Sequence, residues 1–320
     1  MLIHYFFIAV TLFTAMLLYF RIADRFNIID KPNQRSSHTQ ITIRGGGIVF
    51  YLGALIWFVW SGFTSPWFFA GLTAITVVSF LDDAFTLSNR SRISVHLISV
   101  LMMIYELGIF ELPWFILPIA LILIIGTINA YNFMDGINGI TAMYSFAVLL
   151  SLWMVNQQIT FIDDRLLYCT AIANGVFAFF NFRQLAKCFA GDVGSVSMCF
   201  ILLFAVLGLI LVTGNPIYML FFAVYGVDSV LTIVHRLMKR ENIFEAHRSH
   251  LYQYLANEAK GNRLVISTTY GLLQALIGWG VIWVANLDVS AQIAFAVLVL
   301  GLLGGTYIVL KAYLYRRFVY

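Results

Sequence analysis

The sequence predicts an all-α, polytopic membrane bundle of about eleven transmembrane helices. Three observations point there. Hydrophobic residues fill 61% of the 320 positions and charged residues only 11%, against about 25% charged in an ordinary soluble domain. Mean hydropathy is +0.89. Apolar runs recur between short polar breaks, and a spanning helix needs roughly 20 mostly apolar residues.

The first run, 2–20, lacks the basic leader and small-residue cleavage site of a signal peptide, so it reads as span one. A basic loop follows with Arg21, Arg25, Lys31, Arg35 and Arg44. Spans two and three are expected near 45–61 and 66–81, and the break after them carries Arg90 and Arg92. Spans four to seven are expected near 93–108, 112–128, 138–155 and 166–182, and Arg183 and Lys187 follow the last of these. Spans eight and nine are expected near 195–213 and 217–234. After them come Arg236, Lys239, Arg240, Arg248, Lys260 and Arg263. Spans ten and eleven, near 264–284 and 291–313, lead to Lys311, Arg316 and Arg317.

With eleven spans, eighteen of the nineteen basic residues share one side, and only Arg165 lies opposite. The positive-inside rule makes that side cytoplasmic, with the N-terminus outside and the C-terminus inside. Glu106, Glu111, Asp163, Asp164 and Asp288 mark the outer face. The net charge of +4 then sits on the cytoplasmic face, which suits anionic head groups and phosphorylated substrates. No nucleic-acid partner is expected. No repeat, linker or soluble insert is evident, so residues 1–320 read as one membrane domain. Its candidate active-site loops lie near 21–44, 82–92, 129–139, 183–195 and 235–263. Cys169, Cys188 and Cys199 have no metal-ligand spacing and read as small core residues.

Four polar clusters interrupt the apolar chain, and this topology puts all four on the cytoplasmic side. Asp82 and Asp83 are adjacent, and two carboxylates about 4 Å apart repel by roughly 4 kcal/mol at an effective dielectric near 20. A shared cation or proton removes that cost. Asn129, Asn132 and Asp135 recur at three-residue steps and share an arc of about 120° on a helix. Gly136, Asn138 and Gly139 follow. Amides can bond a base edge or a phosphate, and glycines admit close backbone approach. A helix cap and turn would need only one such residue.

Asp192 stands between Gly191 and Gly194, and Ser195 opens span eight. Glycine-rich backbone at a helix start suits an anion, and an Asp there can hold Mg²⁺ with substrate phosphates. Lys187 is near enough in sequence to face a phosphate. His247-Arg248-Ser249-His250 offers a phosphate clamp and groups that titrate near neutrality. His38 and Arg44 flank Gly45-Gly46-Gly47, a hinge or phosphate-near loop. Asp228 lies inside span nine, where an ionisable residue is a functional candidate by default. A buried basic partner is the competing reading.

Together these clusters resemble the polyprenyl-phosphate N-acetylhexosamine-1-phosphate transferases over nearly the whole chain. The stretch from Asp30 to His38, followed by Arg44 to Gly47, resembles the first cytoplasmic loop of the bacterial branch that initiates O-antigen and related glycans. Asp82-Asp83 resembles the family's aspartate pair, and Asn129 to Gly139 its Asn-x-x-Asn-x-x-Asp-Gly signature. Gly191-Asp192-Val193-Gly194-Ser195 resembles the magnesium motif, and His247 to His250 the late histidine motif. Thr86 and Arg248-Ser249-His250 depart from the peptidoglycan branch, which has a Lys and three consecutive histidines there. Asn138 stands where the family often has an Asp.

The resemblance implies transfer of N-acetylhexosamine-1-phosphate from a UDP-sugar to undecaprenyl phosphate in the bacterial inner membrane, with the active site facing the cytoplasm. It implies Mg²⁺, with Mn²⁺ as a substitute, held by Asp192 and Asp83. It places Asp82, Asp83 and Asp192 in catalysis. Asn129, Asn132, Asp135, Gly136, Asn138, Lys187, His247, Arg248, His250, His38 and Arg44 would bind substrate. A homodimer would be unsurprising. The alternative class is a transporter or flippase of a charged or lipid-linked substrate, which predicts charges at the bilayer midplane and a helix-pair repeat.

Overall fold

Every predicted span is a helix in the computed structural model, which describes residues 2–30, 40–85, 87–242 and 247–318. The helices are α1 (Leu2–Phe26), α2 (Ile48–Trp60), α3 (Pro66–Phe85), α4 (Asn89–Glu106), α5 (Ile116–Met134), α6 (Ile140–Asn156), α7 (Asp164–Asn181), α8 (Gly191–Thr213), α9 (Ala223–Met238), the short α10 (Leu251–Gln253), α11 (Arg263–Val284) and α12 (Val289–Phe318). A single π turn, Tyr254–Glu258, continues α10. Two-residue strands β1 (Ile29–Asp30) and β2 (Thr42–Ile43) pair antiparallel.

Seven helical stretches are long and apolar enough to cross a membrane: α1, α3, α5, α8, the continuous stretch Pro216–Met238, α11 and α12. The other four predicted spans fall short for two reasons. α2 and α6 are apolar but only 13 and 17 residues long, whereas α4 and α7 reach 18 residues and are more polar.

α8 forms the centre. Its side chains from Val193 to Leu207 are buried without a break, as expected for a helix that is hydrophobic all round. α2, α3, α5 and α6 pack around it, and α6 and α11 form another closely packed pair. α12 is apolar yet largely exposed, as a lipid-facing helix would be.

Several boundaries differ from expectation, and the differences shape the site. α5 begins beyond Pro113, after a 3₁₀ turn at Ile109–Glu111. It runs on to Met134, so Asn129 and Asn132 lie on its last turns rather than in a loop. α8 starts at Gly191 rather than 195, so Asp192 sits in its first turn. α3 reaches Phe85, which makes Asp82 and Asp83 helical.

Two of the acids predicted for the outer face, Glu106 and Asp163, work as helix caps. Glu106 accepts the Trp67 and Phe68 amides at the start of α3 (2.8 and 3.2 Å). Asp163 caps α7 through the Arg165 amide and also accepts from the Trp57 indole, both at 3.0 Å. Their role is to satisfy amides that the helix leaves open.

Candidate functional site

The end of α3 meets the start of α8. Asp83 accepts the amides of Asp192 (3.2 Å) and Val193 (3.1 Å), one on each carboxylate oxygen. A carboxylate suits a helix N-terminus, where open amides and the dipole favour negative charge. Gly191 has φ +72°, and a Cβ there would run into Asp83. Glycine is therefore the residue that lets this cap close.

Two arginines hold the acids together. Arg44 bonds Asp83 at 2.7 Å and reaches Asp192 at 3.5 Å. Arg92 bonds Asp82 at 2.9 Å and reaches Asp192 at 3.3 Å. Asp82 also accepts the Leu87 amide at 2.7 Å. The Asp83 side chain is fully buried, while those of Arg44 and Arg92 remain 35% and 33% exposed. Burial works against the Arg44 charge, but Asp83 and Asp192 more than offset it and push its pKa up. Each of the adjacent acids Asp82 and Asp83 thus has its own guanidinium partner. Asp192 is the acid with the loosest contacts, and its side chain is 20% exposed.

The glycine triplet explains how these parts approach. Gly46 and Gly47 donate to the Phe189 and Ala190 carbonyls (2.8 and 3.1 Å). A Cβ on Gly47 would collide with the Gly194 backbone, and one on Gly46 with Cys188. The triplet brings the start of α2 onto the start of α8 and sets Arg44 beside Asp83.

The end of α5 closes another side. Asn132 accepts from Ser195 Oγ at 2.7 Å, which ties the signature segment to α8. Asp135 accepts from Thr141 Oγ1 at 2.5 Å. Burial pushes the Asp135 carboxyl up to about 6, and Asp192 adds to the shift. Gly136 lies against Tyr252, whose hydroxyl donates to the Phe133 carbonyl at 2.9 Å. Asn129 is exposed.

Asn138 is buried, and its amide donates to the Arg183 and Gln184 carbonyls (2.7 and 3.1 Å). In this structure it pins the loop after α7. Lys187 is exposed in that loop.

The histidine segment rests on the same face. Phe133 stacks edge-on to His247 and tilts against His250, with centroids 6.2 Å away in both cases. His247 Nδ1 pairs with Ser249 Oγ at 2.9 Å. Burial, then the His250, Arg236 and Lys311 charges, pushes His247 down to about 4, so it is neutral at physiological pH. Arg248 lies 3.8 Å from Glu258. His250 is buried against Asp228 (3.2 Å). The partner of Asp228 is therefore a histidine. His38 lies outside the described residues.

The structure brings Arg44, Asp82, Asp83, Asp192, Asn132 and Asp135 into one connected patch, and the histidine segment borders it through Phe133. Arg92 is a site residue that sequence reasoning counted only as a topology charge. Its available signal was its position in the sequence, shortly after the aspartate pair.

Among the described residues no three His, Cys, Asp or Glu side chains form a metal cluster. A hard cation here would take one or two carboxylates and complete its shell with phosphate oxygens and water, as Mg²⁺ commonly does. Asp192 fits that part, because its contacts are loose and partly open. Asp83, expected as a second ligand, has both oxygens committed to the α8 amides and one also to Arg44.

The family described as Glycosyl transferase family 4 matches residues 65–211, which hold three of the four polar clusters. A Bacillus subtilis protein, "Probable undecaprenyl-phosphate N-acetylglucosaminyl 1-phosphate transferase", is 26% identical over 284 residues, 78% of this chain and 75% of its own length. The Escherichia coli undecaprenyl-phosphate alpha-N-acetylglucosaminyl 1-phosphate transferase is 25% identical over 304 residues, 85% of this chain and 82% of its own. A Salmonella typhi protein of that name is 26% identical over 280 residues, 77% and 74% of the two lengths.

Proposed function

We propose that this chain, whose residues 65–211 match glycosyl transferase family 4 and which is similar to curated undecaprenyl-phosphate N-acetylglucosaminyl 1-phosphate transferases, transfers N-acetylhexosamine-1-phosphate from a UDP-sugar to undecaprenyl phosphate, releasing UMP. The observation that carries this reading is the four-member cluster Arg44–Asp83 and Arg92–Asp82, which closes on the partly open Asp192 at the start of α8. A site with two arginines and one available carboxylate suits a dianionic acceptor and a pyrophosphate donor that share a cation. We place it on the cytoplasmic side of a bacterial inner membrane, at the initiation of a surface glycan such as O-antigen.

An oxygen of the lipid phosphate attacks the β-phosphorus of the nucleotide sugar. The bond from that phosphorus to the bridging oxygen breaks, and UMP leaves with the bridging oxygen. One phosphoanhydride replaces another. Catalysis is then mainly positioning and charge neutralisation. The lipid phosphate is already largely ionised near neutrality, so no strong base is needed.

Asp192 would hold Mg²⁺, which would neutralise charge on the pyrophosphate. Asp82 and Asp83 hold Arg92 and Arg44 in place. The two guanidinium groups exchange their long contacts to Asp192 for phosphate oxygens, where a planar fork binds well. The amides of the α8 start stay fixed on Asp83. Asn132 and Asp135, at the end of α5, line the nucleotide side. His247 and His250 border the phosphates.

A transporter would need its charges near the midplane, whereas here they gather where helices end. The test is mass spectrometry of the lipid product after incubation with undecaprenyl phosphate, Mg²⁺ and a panel of UDP-N-acetylhexosamines. The expected result is one undecaprenyl-diphosphate-sugar, which also names the donor. A folded, lipid-loaded protein that forms no product from any donor would remove the reading.

A further inference from the structure

Asp228 lies in α9, buried, and has no part in the roles given so far. Its Oδ1 accepts from His250 Nδ1 (3.2 Å), the Leu251 amide (3.1 Å) and Thr232 Oγ1 (3.3 Å). Its Oδ2 accepts from the Tyr270 hydroxyl of α11 at 2.8 Å. Thr232 pairs with the Tyr307 hydroxyl at 2.7 Å, and Lys311 donates to Tyr307. Residues of α9, α11 and α12 thus converge on one carboxylate and, through it, on one imidazole. A chain of donors running from a buried lysine to a carboxylate is directional, so each member fixes the next.

This fixes the tautomer of His250. An ionised carboxylate only accepts, so the hydrogen between the two groups belongs to Nδ1. Nε2 then lies on the ring edge away from Asp228. It is buried and has no hydrogen-bond partner, and such an atom in a well-packed region calls for a reason. The ring stands among Phe133, His247 and Tyr252, with centroids at 6.2, 5.0 and 5.8 Å. Phe133 belongs to the end of α5 that lines the proposed nucleotide side.

We propose that Asp228 is a positioning residue, which holds the rotamer and tautomer of His250 so that Nε2, left as an acceptor, receives a hydrogen bond from a hydroxyl or N–H group of the bound nucleotide sugar. This rests on the phosphoglycosyl transferase reading above. Tyr270, Thr232, Tyr307 and Lys311 keep the carboxylate in place. Asp228 touches no substrate and acts only through His250.

The test is a double-mutant cycle in turnover, with an NMR readout beside it. Asp228→Asn is expected to lower kcat by about 10–100-fold, the range for a residue that orients a working histidine, with KM for the donor changed far less. His250→Gln should lower kcat at least as much. The double variant should be no slower than His250→Gln, because coupled residues are non-additive. Fully additive losses would overturn the inference. If Asp228→Asn does not fold, Tyr270→Phe serves, and its smaller loss should vanish in the His250→Gln background.

Nitrogen-15 spectra of histidine-labelled wild-type protein give the second arm. They should show the His250 hydrogen on Nδ1 in a downfield, hydrogen-bonded resonance. A neutral ring protonated on Nε2 would overturn the inference whether or not the protein turns over. A wild-type protein with no activity at all would instead remove the function proposed above.

Discussion

Asp192 and Asp83 are both buried-end carboxylates on adjoining helices, yet their surroundings give them different tasks. Asp83 has donors on both oxygens and no exposure, so it is architecture. Asp192 has only long contacts to two arginines and keeps an open edge. Asp192→Asn should therefore cut turnover by about 10²–10³-fold or more, the scale for losing a group that stabilises developing charge. Its thermal melting should stay near wild type, because no close hydrogen bond is lost.

Asp135 makes the opposite trade. Folded Asp135 keeps its proton up to about pH 6, whereas a solvated aspartate releases it near 3.9. Stability from this group is full below about pH 4 and is lost as pH rises through 6, by roughly 3 kcal/mol in all. Asp135→Asn should melt higher than wild type at pH 8 and at the same temperature near pH 4. Equal melting differences at both pH values would contradict the assignment.

These residue types were legible in the sequence, because few carboxylates and amides survive in so apolar a chain. Their division of labour was not. It depends on which helix start each acid meets across a sequence distance of about a hundred residues, as Asp83 meets Asp192 and Arg92 meets Asp192.

At the scale of elements, the contact between the starts of α2 and α8 carries the site. Gly47 and Gly194 touch backbone to backbone, with no room for a Cβ on either. Gly47→Ala must push α2 away from α8 and carry Arg44 with it. Overpacking of this kind costs about 1–3 kcal/mol, so melting should fall and turnover should drop with it. Gly126 in α5 has open space where a Cβ would sit. Gly126→Ala should be neutral or slightly stabilising, which separates close approach from a general intolerance of substitution. Thermal melting of the two variants in detergent checks both.

The sequence marked Arg44-Gly45-Gly46-Gly47 as a hinge or phosphate loop. Its role as a packing seam depends on Cys188 to Ala190, and no local pattern reports such a partner. Helix ends were likewise misjudged by several residues at α5 and α8. Polar residues at a site look like loop, yet Asn129, Asn132 and Asp192 remain in the helical ladder.

At the scale of the whole molecule, the polar groups divide by end. Acids at one end cap single helices, as Glu106 and Asp163 do, while those at the other end converge from α3, α5 and α8. Seven helical stretches are long and apolar enough to cross a membrane; under the eleven-span reading proposed from the sequence, the converging end would face the cytoplasm and eighteen of the nineteen basic residues would share its side. Gln158→Cys should then react with a membrane-impermeant thiol reagent in intact cells, and Arg316→Cys only after the membrane is opened. The native cysteines are buried and should contribute little. Reaction of both without permeabilisation would break the topology. The helices were readable from hydropathy, but seven rather than eleven stretches are long and apolar enough to cross a membrane, and α2, α4, α6 and α7 show why counting is hard. Short or polar helices are covered by neighbours and need not look like isolated spans. The most direct measurement of the central claim is UMP release by purified protein in detergent, with and without undecaprenyl phosphate. Release that requires the lipid and Mg²⁺ and is lost in Asp192→Asn is the predicted result. Release that ignores the lipid, or persists at the wild-type rate in Asp192→Asn, would contradict the account.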